Sequence, residues 1–292
     1  MKNELVSICI PTYNQTHVLE KTLKSVLAQT YSEYELIISD DSTNQDVFNL
    51  LKKYDFRNKI RYYKNVVPLG SPANWNNAIG KAGGKYIKIL HHDDWFSSPD
   101  SLSEFVTEAN KHPDVKFFFS ATKSFNHDKN ITRYYIQDKG KIDKIRNNPL
   151  LLIVGNVIGA PSVTFFKKNS ELFDENIKWL VDLDYYIRMI KNNPDFIFIN
   201  KPLICVSAGA THQITNDCKN IKVEFTEWFY IYNKYKNGKK FSLKEIMYLF
   251  KLVYKYKVSS ITELPSPAVI PNKEVLTIII YISNCIRKLT TR

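Results

Sequence analysis

Along the first hundred residues the spacing of apolar positions switches repeatedly between a strand period and a helix period. Leu5-Val-Ser-Ile-Cys-Ile10 is a short apolar run of the buried-strand type, stopped by Pro11. Thr16 to Gln29 then places Val18, Leu19, Leu23, Val26 and Leu27 on one helical stripe. Tyr34 to Ser39 reads as a second strand, Asn44 to Tyr54 as a helix, Lys59 to Tyr63 as a third strand and Ala73 to Lys81 as a short helix. Gly83-Gly84 punctuates the approach to a fourth strand, Lys85 to Leu90. Regular alternation of this kind predicts an α/β fold: a Rossmann-like, mostly parallel sheet with helices on both faces.

The middle of the chain is less regular. Ser97 or Ser98 reads as a helix cap with Pro99 near the first helical position. Val115 to Ser120 and Ser162 to Phe166 read as strands, Ile131 to Ile136 as an edge strand and Asn148 to Val154 as a helix. Trp179 to Met189 is helical, and Phe196 to Asn200 and Leu203 to Val206 read as two separate strands. Three further helical patterns, Val223 to Tyr235, Leu243 to Tyr256 and Lys273 to Arg287, are crowded with aromatic residues and lysine.

Charge separates this tail from the rest. The chain of 292 residues carries a net charge of +12, and residues 219–292 hold 14 Lys and Arg against 5 Asp and Glu. Such a balance suits nucleic acid, an anionic membrane surface or phosphorylated substrates. Aromatic rings interleaved with lysine suit a lipid headgroup layer, and equally suit helices that pack inward and wear lysine outside. The four cysteines are scattered without CxxC spacing, which points to neither a disulfide framework nor a zinc site and favours a reducing compartment. No secretory leader and no apolar run of the ~18 residues needed to span a bilayer is expected.

The candidate chemistry lies at strand ends. The second strand runs into Asp40-Asp41 and the fourth into His91-His92-Asp93-Asp94. Parallel strands present their carboxyl ends along one edge, where open α/β sheets bind ligands. Adjacent carboxylates repel, and a divalent cation with oxygen ligands relieves that repulsion. A solvated acidic turn before a helix is the alternative reading of Asp93-Asp94.

Three segments in order, Val6-Ser-Ile-Cys-Ile-Pro-Thr-Tyr-Asn14, Ser25-Val-Leu-Ala-Gln-Thr-Tyr31 and Tyr34-Glu-Leu-Ile-Ile-Ser-Asp-Asp-Ser42, resemble the amino-terminal signature of family 2 glycosyltransferases with the GT-A fold. Gly83 to Asp94 resembles that family's approach to its metal-binding DxD motif. The likeness covers residues 1–215, which implies a catalytic domain with a nucleotide-binding part (1–98) and an acceptor-side part (99–215), followed by a basic, aromatic-rich helical region (216–292). It implies an inverting transfer from a nucleoside-diphosphate sugar, with UDP favoured, to a hydroxyl of a glycan or polyprenyl-linked glycan. The transferred group would be a hexosyl or N-acetylhexosaminyl unit, and the context polysaccharide synthesis.

Roles carry over by position. Pro11 and Tyr13 match the loop that packs on the base, where a tyrosine can stack. Asp41 matches the carboxylate that accepts the uracil imide hydrogen, while Asp40 is expected to cap the following turn. Asp93 matches an acid reaching ribose or metal, Asp94 a metal ligand, and His212 a metal-binding histidine on a mobile loop; the cation would be Mn²⁺ or Mg²⁺. Asp182 matches the general base, with Asp184 as fallback.

The chain departs from the family pattern at His91, where many relatives carry Asp; at Trp75, where an Arg near the diphosphate is common; and at Val181, where a Glu precedes the base. Trp75 reads equally as a core residue. No Gln-x-x-Arg-Trp motif is present, so addition of a single sugar is expected rather than polymer extrusion. The implied setting is cytoplasmic and peripheral at the inner membrane face, against anionic lipid and without nucleic acid. Two rivals are a nucleotidyltransferase, which would show a Gly-rich phosphate loop and an early lysine, and a non-catalytic sugar-nucleotide-binding protein, which leaves Asp182 without a role.

Overall fold

A computed structural model describes residues 3–126, 131–169, 171–209, 218–236, 238–265 and 270–290. Four apolar runs become the strands β1 (Val6–Thr12), β2 (Tyr34–Asp40), β3 (Ile60–Lys64) and β4 (Tyr86–Ile89). All side chains of β1, β2 and β4 are buried, as expected of strands covered on two faces. Helices α1 (Thr16–Leu27), α2 (Asp46–Leu51) and α3 (Ala73–Lys81) separate them, with α3 packed on β1 and β2. β1 pairs in parallel with β2 on one side and β4 on the other, and β2 with β3. The local order β3-β2-β1-β4 opens a switch point between β1 and β4, the place where such sheets leave a crevice at their carboxyl ends. Gly84 lets β4 lie close: a Cβ there would meet the Ser7 nitrogen and the Leu5 carbonyl oxygen at 2.7 and 2.8 Å.

The sheet continues with β5 (Trp95–Phe96), β6 (Phe117–Asn126), β7 (Ile131–Tyr135), β8 (Thr164–Lys167) and β9 (Phe196–Ala208). Among the described residues the nine strands form one sheet, in the order β3-β2-β1-β4-β8-β6-β9-β5 with β7 beside β6. Two strands expected separately around Pro202 are one, β9. Its pairing with β6 shifts register around Ala121, so the backbone passes Lys201-Pro202 as an irregularity and does not end there.

Helix α4 (Ser101–Lys111) begins two residues later than the Ser98-Pro99 cap suggested; Asp100 precedes it, and the Ser98 N–H donates to Ser101 Oγ at 3.1 Å. After α5 (Lys139–Asn147), Pro149–Val154 forms a 3₁₀ helix in place of an α-helix. Helix α6 (Val181–Asn192) follows, and the tail supplies α7 (Ile221–Lys236), α8 (Leu243–Lys255) and α9 (Lys273–Thr290).

The first tail helix is tied to the sheet-bearing part by buried charge. Asp184 of α6 is fully buried and accepts from Lys234 Nζ at 2.8 Å and the Tyr235 hydroxyl at 2.7 Å, both on α7. Lys234 and the Tyr230 hydroxyl also reach Asp174, at 2.6 and 2.9 Å. Glu224 of α7 in turn holds Lys255 and the Tyr256 hydroxyl at 2.7 and 2.8 Å, joining α8. No described helix is long and apolar enough to cross a membrane.

Candidate active site

A cavity of about 460 Å³ opens at the switch point, a size suited to a small ligand. Pro11 comes from the end of β1 and His91 to Asp94 from the turn after β4. Asp182 comes from the start of α6, Lys178 and Trp179 from the residues leading into it, and Val206 to Gly209 from the end of β9. Asp93, Asp94 and Asp182, far apart in sequence, therefore line one space.

Asp94 is the more deeply set of the adjacent pair. It is buried, and the Ser207 N–H donates to its Oδ1 at 3.0 Å. Burial, and then the charge of Asp93, push its carboxyl up to about 8. Lys88, an interior residue of β4, lies behind it as a countercharge. Its ammonium donates to the carbonyls of Ile89 at 3.1 Å, Thr164 at 3.3 Å and Ser162, and burial pushes it down to about 7. Two carboxylates side by side, one nearly neutralised by its surroundings, form a donor set that an oxygen-seeking cation would relieve. Among the described residues no group of three potential ligands converges.

His91 lines the same cavity. Its ring packs on Trp75 at 4.7 Å between centroids, its backbone N–H donates to Ser162 Oγ at 2.9 Å, and its Nε2 is buried without a hydrogen-bond partner. Burial lowers its pKa to about 4, leaving a neutral imidazole. Trp75 is core and cavity wall at once: it is buried, meets Phe173 edge-on at 5.1 Å, and lines the cavity. Among the described residues the lysines that line this space are Lys178 and Lys219.

Asp182 sits in the first turn of α6. The Leu183 N–H donates to its Oδ1 and the Asn156 amide to its Oδ2, both at 2.9 Å. Burial pushes its carboxyl up to about 7; these bonds pull the other way, and the charge of Glu227 adds to the rise. Asn156 also accepts from the Gly159 N–H at 2.8 Å, so the 155–161 loop, folded through Gly159 at φ +114°, is stitched to the carboxylate. Asp184 does not share the site: Arg188, Lys234 and Tyr235 hold it in the protein interior, which removes it as a fallback base.

Asp41 does not line the cavity either. It is buried behind its wall, accepting from the Leu69 and Gly70 N–H groups at 3.0 and 2.8 Å and from the Asn65 amide at 2.7 Å, next to cavity-lining Ser71. Tyr13 is half exposed on the neighbouring rim and also lies outside the lining. Asp40 meets its expectation, accepting from the Ser42 N–H at 2.9 Å and pairing with Lys64 at 3.2 Å. His212 lies outside the described residues.

No motif marks Ser71, Lys88, Asn156, Lys178, Lys219 or Glu227 in the sequence. Only Lys88 left a local mark, a charged residue inside an apolar strand. Ser71 carries a buried hydroxyl with no hydrogen-bond partner at the cavity wall.

The family model for glycosyl transferase family 2 matches residues 7–175. The chain belongs to this family. It is similar to the putative colanic acid biosynthesis glycosyl transferase WcaA of Escherichia coli K12, 28% identical over 244 residues, covering 80% of this chain and 82% of WcaA. It is also similar to WfgD of Escherichia coli, named as a UDP-Glc:alpha-D-GlcNAc-diphosphoundecaprenol beta-1,3-glucosyltransferase, 27% identical over 150 residues (51% of this chain, 57% of WfgD). Among solved structures, S. aureus TarS 1-349 in complex with UDP-GlcNAc superposes with a TM-score of 0.62 at 17% identity, covering 86% of this chain and 80% of that one. Mannosyltransferase PcManGT from Pyrobaculum calidifontis, in complex with GDP-Man and Mn²⁺, gives 0.51 at 14% identity, covering 96% and 69%. The glycosyltransferase is thus a GT-A enzyme, and neither rival class is retained.

Proposed function

We propose that this enzyme transfers one sugar, with inversion, from a UDP-sugar to a hydroxyl of a lipid-linked or polysaccharide glycan. The observation that carries the reading is the meeting of Asp182 with Asp93 and Asp94 in one cavity. Asp93 and Asp94 would hold Mn²⁺ or Mg²⁺, which when bound offsets the charge of the departing diphosphate. Lys178 and Lys219 supply the side-chain positive charge that Trp75 does not. Asp182, with its pKa near neutrality, is matched to removing a hydroxyl proton at physiological pH. The acceptor oxygen forms its bond to the anomeric carbon as the bond from that carbon to the diphosphate oxygen breaks on the opposite face. The acceptor proton passes to Asp182.

The base would extend past Ser71 toward Tyr13 and the Leu69-Gly70 loop. Three protein donors already sit on Asp41, and a carboxylate offers about four lone-pair sites, which leaves about one for a uracil imide. WfgD, by its name, supports both a UDP-linked donor and a diphosphoundecaprenol acceptor. A thermal-shift panel of UDP, dTDP, CDP and GDP with and without Mn²⁺ tests this. UDP should give the largest shift and Mn²⁺ should enlarge it; a larger shift with GDP, or no response to Mn²⁺, contradicts the assignment.

Contact with the inner face of the cell membrane belongs to the same reading. Helix α9 buries Leu276, Ile279 and Ile280, yet Ile278, Tyr281, Ile282, Ile286 and Leu289 form a second, exposed apolar stripe beside exposed Lys288. An apolar stripe edged by cations fits an anionic bilayer surface. The protein should float with anionic vesicles, and joint Ile278→Ser, Tyr281→Ser and Ile282→Ser substitution should release it without loss of activity on a soluble acceptor. Failure of the unaltered protein to float would end this part.

A further inference from the structure

The segment that delivers the base is held from the tail. Lys178, Trp179 and Leu180 lead directly into α6, and Lys178, Trp179 and Asp182 all line the cavity. Their three consecutive backbone N–H groups converge on one carboxylate, that of Glu227 on α7, at 2.8, 2.7 and 2.9 Å. Glu227 is itself buried. The start of a helix leaves N–H groups without internal partners and carries partial positive charge, so a carboxylate is the strongest single partner available to it. On the helix itself the first turn carries Asp182, which takes the Leu183 N–H, so the three N–H groups ahead of it fall to Glu227.

Resting on the assignment of Asp182 as base, we infer that Glu227 is a positioning residue for the transfer step. It fixes the entry into α6, and with it the place of the Asp182 carboxylate and the Lys178 and Trp179 wall. The tail is then part of the catalytic apparatus and not only a surface for lipid. Removing residues 216–292 would remove the base's support together with the apolar stripe, so a truncated enzyme cannot report on lipid contact alone.

Glu227→Gln tests this by steady-state kinetics, nucleotide binding and a melting curve. The amide keeps one acceptor oxygen and turns the other into a donor facing one or two of the three N–H groups, and a shift of ~1 Å in a reacting group costs on the order of 100-fold. The expected result is a fall in kcat of about 10- to 100-fold with the UDP dissociation constant nearly unchanged. In an Asp182→Asn background the same change should lower the residual rate by less than about 3-fold, because residues acting as a unit are not additive.

Glu227→Asp keeps the charge and withdraws it by one methylene; it should retain the fold and lose less activity than Gln. Should Glu227→Gln fail to fold, the Asp variant carries the same comparison in both backgrounds. A lowered melting temperature with kcat retained, or an equal fold-loss with and without Asp182, overturns the positioning role. Full activity in Asp182→Asn alone would instead overturn the base assignment, so the two failures are distinguishable.

Discussion

Asp182→Asn is expected to lower turnover by about 10²- to 10⁴-fold while leaving nucleotide binding almost unchanged, since it removes the proton acceptor and, away from the nucleotide, the Oδ2 that takes the Asn156 amide. Asn can still accept from the Leu183 N–H, so α6 keeps its first-turn contact. The effect on stability has the opposite sign to the usual loss of a paired carboxylate. The folded enzyme holds Asp182 with its pKa raised to about 7, against an ordinary carboxylate near 4. Between those values the native state binds more protons than the unfolded chain, so this group's contribution to stability falls as pH rises through the window. The variant should therefore melt no lower than the parent at pH 7.5.

For the unaltered enzyme the same shift sets the acid limb of the rate. Only the ionised carboxylate accepts a proton, so kcat/KM should fall tenfold per pH unit below about 7. A pH–rate series shows this directly, and an acid limb near pH 4 would contradict it.

Asp93→Asn should have an effect of comparable size by a different route. Loss of charge stabilisation at the leaving diphosphate is worth several kcal/mol, on the order of 10³-fold in rate at 1.36 kcal/mol per decade. The distinguishing readout is the cation. Mn²⁺ should no longer enlarge the stabilisation given by UDP, whereas in Asp182→Asn it should do so fully. Equal Mn²⁺ responses in the two variants would mean that Asp93 is not a ligand.

Much of the first half was legible because each strand is a short apolar run bounded by turn chemistry, and β1 to β4 fall within two residues of their expected limits. The acids after β4 were legible for the same reason: strand ends of a parallel sheet gather at one edge. Longer-range facts were not. Nothing in the pattern at Glu227 marks it as different from any other acid on a helix face, because its three donors lie some fifty residues earlier. Asn156 is similarly silent until the 155–161 loop folds over α6.

Asp41 shows the reverse problem. Its place in the motif is clear, yet its oxygens are largely taken by the backbone of the Leu69-Gly70 loop, which local sequence could not reveal. The apparent break at Lys201-Pro202 misled because proline and a lysine interrupt the period while the sheet absorbs them as an irregularity in β9.

The most direct test is a crystal structure of the enzyme with UDP and Mn²⁺, with the metal located by its anomalous signal. A manganese peak is expected against the carboxylate of Asp93. The diphosphate should lie between that peak and Lys178 or Lys219, and the side chain of Asp182 should face the same space. A nucleotide bound outside this cavity, or a manganese peak away from Asp93 and Asp94, would contradict this arrangement.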